Sequence, residues 1–108
     1  MNIDIEISKE FLTTARGYIR ITAEDTVIDN DITDLIKACM LDLIRNGITS
    51  KKATDTNDSL IKMAIRLYLK AEYGLDNKNH EKYRASYEML RTELALTRDY
   101  TEVSEDVE

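Results

Sequence analysis

Apolar residues recur at the three- and four-residue steps of an α-helix in four separate stretches of the chain. In the first, from about Ser8 to Arg20, Phe11, Leu12, Ala15, Tyr18 and Ile19 form one stripe. Ser8 is placed as its N-cap, and Ile7 and Leu12 occupy the positions of a hydrophobic staple. Gly17 lies inside this helix and lowers its propensity by about 1 kcal/mol. Ahead of it, Ile3, Ile5 and Ile7 alternate with Asp4 and Glu6, the pattern of a short extended arm. The second stretch opens in the acidic run Ala23-Glu24-Asp25-Thr26 and continues to Asn46. Ile28, Ile32, Leu35, Ile36, Cys39, Met40, Leu43 and Ile44 keep helical spacing through it. Asp29, Asp31 and Asp34 fall early and Arg45 late, as the helix dipole favours, and Asn46-Gly47 supplies a stop.

Residues 48–57, ITSKKATDTN, are polar and without period, and read as a mobile loop. The third helix begins at a cap from Asn57, Asp58 or Ser59 and runs to Tyr73, with Gly74 beyond it. It is apolar on most sides, broken only by Lys62, Arg66, Lys70 and Glu72, which suits a helix central to a core or seated in an interface. In the fourth, from about Lys78 to Thr97, Tyr83, Tyr87, Leu90, Leu94 and Thr97 form the stripe, widened by Met89 and Leu96. Glu81–Arg84 and Glu88–Arg91 are spaced to pair along its exposed side. From Arg98 to Glu108 the chain is acidic and lacks helical period, the pattern of a disordered tail. The expected fold is all-α: one domain over residues 1–98, with about four helices and a long loop between the second and third, then a flexible acidic tail over 99–108.

Composition narrows this further. The 108 residues include no proline, three glycines and no tryptophan, too few turn formers for a sandwich or barrel. One cysteine, Cys39, excludes an internal disulfide. The N-terminus reads as acidic where a signal peptide needs positive charge, and no stretch nears the ~18 apolar residues of a membrane span. The expected setting is a reducing cytoplasm, unless an assembly carries the chain elsewhere. The net charge of −6 is unevenly spread: −5 over residues 1–34, +4 over 35–98 and −5 over 99–108. Phosphate wrapping is therefore not its main business. The basic middle suits an anionic partner, such as the acidic part of a neighbouring copy.

Catalytic chemistry finds little support. His80 is the one histidine, set among Lys78, Asn79, Glu81 and Lys82 at a helix start, so no histidine pair can hold a metal or act on a nucleophile. Cys39 lies on the apolar stripe, where a thiol is structural. Asp25, Asp29, Asp31 and Asp34 lack the glycine and closing glutamate of a calcium loop. Glycines at 17, 47 and 74 are too far apart to cradle phosphate, and the loop after the second helix is too long for a helix-turn-helix. Neither an enzyme nor a cofactor is expected. Tyr68, Tyr73, Tyr83 and Tyr87 are spaced for core or interface rather than for base stacking, and Arg98, Tyr100, Glu102 and Val103 join them as candidate protein-contact residues. A small helical module that binds one protein partner is compatible with all of this.

The order of segments carries a resemblance. A helix ending in Tyr18-Ile19-Arg20-Ile21 leads to the acidic stretch Thr22 to Thr26. A long helix with Ile32, Leu35, Ile36, Cys39 and Met40 follows, then a loop, then Leu60-Ile61-Lys62-Met63-Ala64-Ile65-Arg66-Leu67-Tyr68-Leu69, and a last helix with Tyr87-Glu88-Met89-Leu90. Over about residues 7–97 this resembles the small head–tail connector proteins of tailed bacteriophages, also called adaptor or DNA-packaging proteins. The resemblance implies a structural virion protein assembled in the host cytoplasm. It implies a ring of about twelve copies beneath the portal protein, added after packaging, with a stopper or tail-completion protein below. DNA would pass through the channel without specific binding, and no membrane is involved.

Overall fold

The computed structural model describes residues 4–73 and 78–102. Ile3 of the arm, Gly74 and the tail from Val103 onward lie outside the described residues. The elements are α1 (Lys9–Tyr18), α2 (Thr26–Arg45), α3 (Ser50–Ala53), α4 (Ser59–Glu72), α5 (His80–Ala95) and α6 (Arg98–Thr101), with no strand among the described residues. All four expected helices are present. The N-terminal arm pairs with no strand; it packs down, with Ile5 buried and Ile7 half-buried against the core.

Local chemistry fixes where these helices begin and end. The Ser8 hydroxyl accepts from the Phe11 amide at 3.0 Å, and Ile7 and Leu12 both pack on the core at that end of α1. Asp25 and Asp58 do the same for α2 and α4, each carboxylate taking two amide hydrogens of the first turn. α1 and α2 both close through a paired bond pattern in which the chain turns back on the last helical carbonyls. In α2 the Ile48 amide donates to Leu43 and the Gly47 amide to Ile44. Gly47 sits at φ +108, a conformation that disfavours any side chain. In α1 the Ile21 amide donates to Arg16 and Arg20 to Gly17, and here the left-handed position is held by Arg20 at φ 62.

Packing converges on α4, which contacts α5, α2 and α1. Its Ile61, Ala64, Ile65 and Leu69 are fully buried against Ile32, Ile36, Cys39, Met40 and Leu43 of α2, and against Tyr87 and Leu94 of α5. Phe11 and Ala15 close the core from α1. Arg16 crosses to Asp29 at 2.9 Å, tying the end of α1 to the first turn of α2. Asp29 therefore balances a nearly buried cation as well as the helix dipole.

Two segments differ from the sequence expectation. Residues 48–57 are not an open loop: Thr49 caps the single turn of α3, and Ile48 and Ala53 are buried beside it. These two are the only apolar residues in that run, five positions apart, so no period marks them. Arg98 to Thr101 form α6, whose Tyr100 packs on the core and whose carbonyl accepts from the Thr49 amide at 2.9 Å. One tyrosine in an acidic run is likewise invisible to a periodicity argument. Replacing Arg20 with glycine should raise unfolding free energy by up to about 1 kcal/mol, because the αL penalty disappears. Gly47→Ala should lower it by about 1 kcal/mol; urea denaturation of the two variants checks both signs.

Candidate protein-interaction surface

The candidate tyrosines divide into an interior group and a surface group. Tyr87 is 3% exposed and belongs to the core. Its ring meets that of Tyr68 edge-on at 5.1 Å between centroids. Its hydroxyl donates to Asp42 Oδ2 at 2.7 Å, and Arg91 Nη1 donates to the same oxygen at 2.7 Å. The Cys39 thiol lies 3.9 Å from the Tyr87 oxygen. Burial works to raise the Asp42 carboxyl, but the hydrogen bonds from Tyr87 and Arg91 and the nearby guanidinium outweigh it and hold the group below its ordinary value. Burial pushes the Cys39 thiol up to about 12 and raises Tyr87 as well. A thiol so buried and so protonated is not a nucleophile. The cluster braces α2 against α5.

A second carboxylate performs the same task at the other end. Tyr100 donates to both oxygens of Asp58 at 3.0 Å while Asp58 caps α4. Lys52 lies 4.0 Å from the same carboxylate and sits over the Tyr100 ring. Burial opposes ionisation of Asp58, and the first-turn amides together with Tyr100 outweigh it, so its carboxyl is lowered. Burial and the Asp58 partner raise the Tyr100 phenol to about 12. Arg98 and Glu102 form an exposed ion pair at 3.0 Å along α6. Val103 lies outside the described residues.

The remaining candidates are half-exposed. Tyr73 packs on the core edge, and Tyr83 lies beneath the Lys70 ammonium at 5.3 Å. Arg84 bonds to Glu72 of α4, not along its own helix, and Arg91 likewise reaches across to Asp42 while Glu88 adds to its field. Several apolar side chains are turned to solvent, and Met89 and Leu96, expected to widen the buried stripe of the fourth helix, are among them. Val27 is 69% exposed, Met63 49%, Leu60 42%, Met89 67% and Leu96 82%. Met89 and Leu96 each fall two residues past a core position, Tyr87 and Leu94, which turns them about 200° from it. That offset was legible in the sequence. These side chains are spread over α2, α4 and α5, with Leu96 just past the end of α5, and give each of those outer faces an apolar component.

Among the described residues no group of histidine, cysteine and acidic side chains converges to hold a metal ion, and no helix is long and apolar enough to cross a membrane. His80 is exposed at the start of α5. Comparison with family models decides the matter: the model described as phage connector protein matches residues 11–101, from the first turn of α1 to the last residue of α6. The chain belongs to the phage connector family. No significant match to a curated protein or to a solved structure was found. The connector is thus a structural component of the virion that joins other head and tail proteins. The family match includes α6, in keeping with the packing of Tyr100 on the core of the connector.

The two carboxylates set the acid response of the connector. Asp42 and Asp58 have folded values below their unfolded ones, so their contribution is present above about pH 4 and lost as pH falls through the folded values. Cys39 and Tyr100, raised in the fold, contribute below their unfolded values and lose that contribution as pH rises toward 12. The melting temperature should therefore hold a plateau from about pH 5 to 8 and fall on either side. Tyr87→Phe should cost about 1–2 kcal/mol and shrink the acid-side fall, as thermal melts at pH 3 and pH 7 would record.

Proposed function

We propose that this connector acts as an adaptor that forms a ring under the portal, extends the DNA exit channel and links capsid to tail after packaging. The observation that carries this reading is the family match over nearly the whole folded domain. The exposed apolar residues on the outer faces of α2, α4 and α5 support it, since a ring subunit must touch two neighbours as well as what lies above and below. Heterologous rings use two different faces of each subunit, and the acidic first third and basic middle of the chain provide a complementary pair. Acidic side chains on a channel wall repel phosphates, so the genome slides through without a specific contact.

In this reading the candidate contact residues have separate duties. Tyr87 and Tyr68 stiffen the subunit, while Tyr73, Tyr83 and the α6 residues Arg98, Tyr100 and Glu102 border its surface. The acidic residues that follow, with Glu105, Asp106 and Glu108, dock on the portal or on a neighbouring copy. Mixed with rings of its portal protein and weighed by native mass spectrometry, the connector should add about one copy per portal subunit. No gain in mass over a broad concentration range would sink the adaptor reading. Deleting residues 103–108 should abolish that gain; full attachment by the truncated chain would remove the docking role.

A further inference from the structure

The outer faces of α2 and α4 are complementary in both charge and apolarity. From Ala23 to Ile36 the chain carries Glu24, Asp25, Asp29, Asp31 and Asp34 and no base. Asp29 is taken by Arg16, but Asp31 and Asp34 are exposed and form no ion pair among the described residues. Val27 stands on the same side of α2, four and seven residues before them, and is 69% exposed. On α4 the situation is reversed. From Ser59 to Ala71 that helix carries Lys62, Arg66 and Lys70 and no acid. Its outward side sets Met63, 49% exposed, and Leu60, 42% exposed, among these cations.

α2 and α4 bury Ile32, Ile36 and Met40 of one and Ile61, Ile65 and Leu69 of the other in a common core. Val27 and Met63 stand outside that core, each on the solvent side of its own helix. Around Met63, Arg66 lies over the Tyr18 ring at 5.9 Å and Lys70 over the Tyr83 ring at 5.3 Å, so the α4 cations are held along that side. A two-fold dimer that paired either face with itself would set like charge against like. We infer that the acidic first half of α2 in one copy docks on the basic, methionine-bearing face of α4 in the next, with Val27 against Met63 and Asp31 and Asp34 facing Lys62 and Arg66. This rests on the ring reading and names the subunit contact it needs. Such a contact is head-to-tail and self-propagating, and apolar side chains ringed by opposite charges give it both burial and register.

Paired cysteines test it. A chain carrying both Val27→Cys and Met63→Cys, assembled on portal rings or at high concentration and then oxidised, should give a ladder of disulfide-linked dimers, trimers and longer species. Either substitution alone should give none, and the native Cys39, fully buried, should stay silent. Dimers from a single-cysteine chain would reveal a two-fold contact and overturn the proposal. A ladder from Val27→Cys with Met89→Cys, but not with Met63→Cys, would move the contact to α5 and overturn it as well. Reversing one side with Asp34→Lys should weaken self-association at least about tenfold, and adding Lys62→Glu should restore it. Assembly without any ladder would overturn this contact and leave the ring standing. Failure to assemble under either condition would remove both.

Discussion

Burying α4 is the constraint from which the rest of the architecture follows. Four of its fourteen residues are wholly inside, and three other helices are needed to cover them. A chain of this size with a single cysteine, and so no internal disulfide, draws its stability from one well-packed apolar centre. Removing a branched side chain such as Ile61 or Ile65 from that centre would cost about 2–5 kcal/mol, a large share of a small domain's stability. What is left of α4 after this burial is a narrow outer strip, and that strip is basic and apolar because the acids of the middle segment lie elsewhere. The same helix that organises the interior thus determines the character of one exterior face.

Two partly buried carboxylates hold the layers around that centre in register. Asp42 is shared by a tyrosine and an arginine of α5, and Asp58 by the first turn of α4 and the tyrosine of α6. In each case a tyrosine presents its ring to the apolar side and its hydroxyl to the carboxylate. No buried side-chain nitrogen or oxygen among the described residues lacks a partner. Apolar packing alone tolerates sliding of one helix along another. A fixed acceptor on α2 and a fixed donor on α5 do not, so the pair sets the register of the two helices.

Much of this was legible in the amino-acid sequence, and the reasons differ by element. The four longer helices announce themselves through period, and Ser8 and the Asn46-Gly47 stop act as expected; Asp58 is the cap among the three residues offered for α4, and Asp25 of the acidic run caps α2. α3 and α6 escape because a single turn shows no period, and because their anchors, Ala53 and Tyr100, are isolated in polar runs. The arginines of α5 were assigned to neighbours on their own helix, since spacing along one helix is visible and the approach of another is not. Tyr87, offered as core or interface and named among the contact candidates, lies in the core, and only the third dimension separates the two. The exposed methionines lay within reach of a stricter helical wheel, since Met89 stands on the far side of Tyr87.

The docking of α6 has a consequence for the order of events in the life of the molecule. Tyr100 reaches Asp58 across 42 residues of sequence, and it is synthesised after every partner it binds. Among the described residues every buried core side chain precedes α6 in the chain, so assembly of the core does not wait for the final turn. The last turn is therefore a clasp that closes over a finished body. Opening it exposes the capping carboxylate of α4 and the amide of Thr49 and lifts Tyr100 from the edge of the core. A chain built this way can loosen its carboxyl-terminal edge to suit whatever it abuts, while the body keeps its shape.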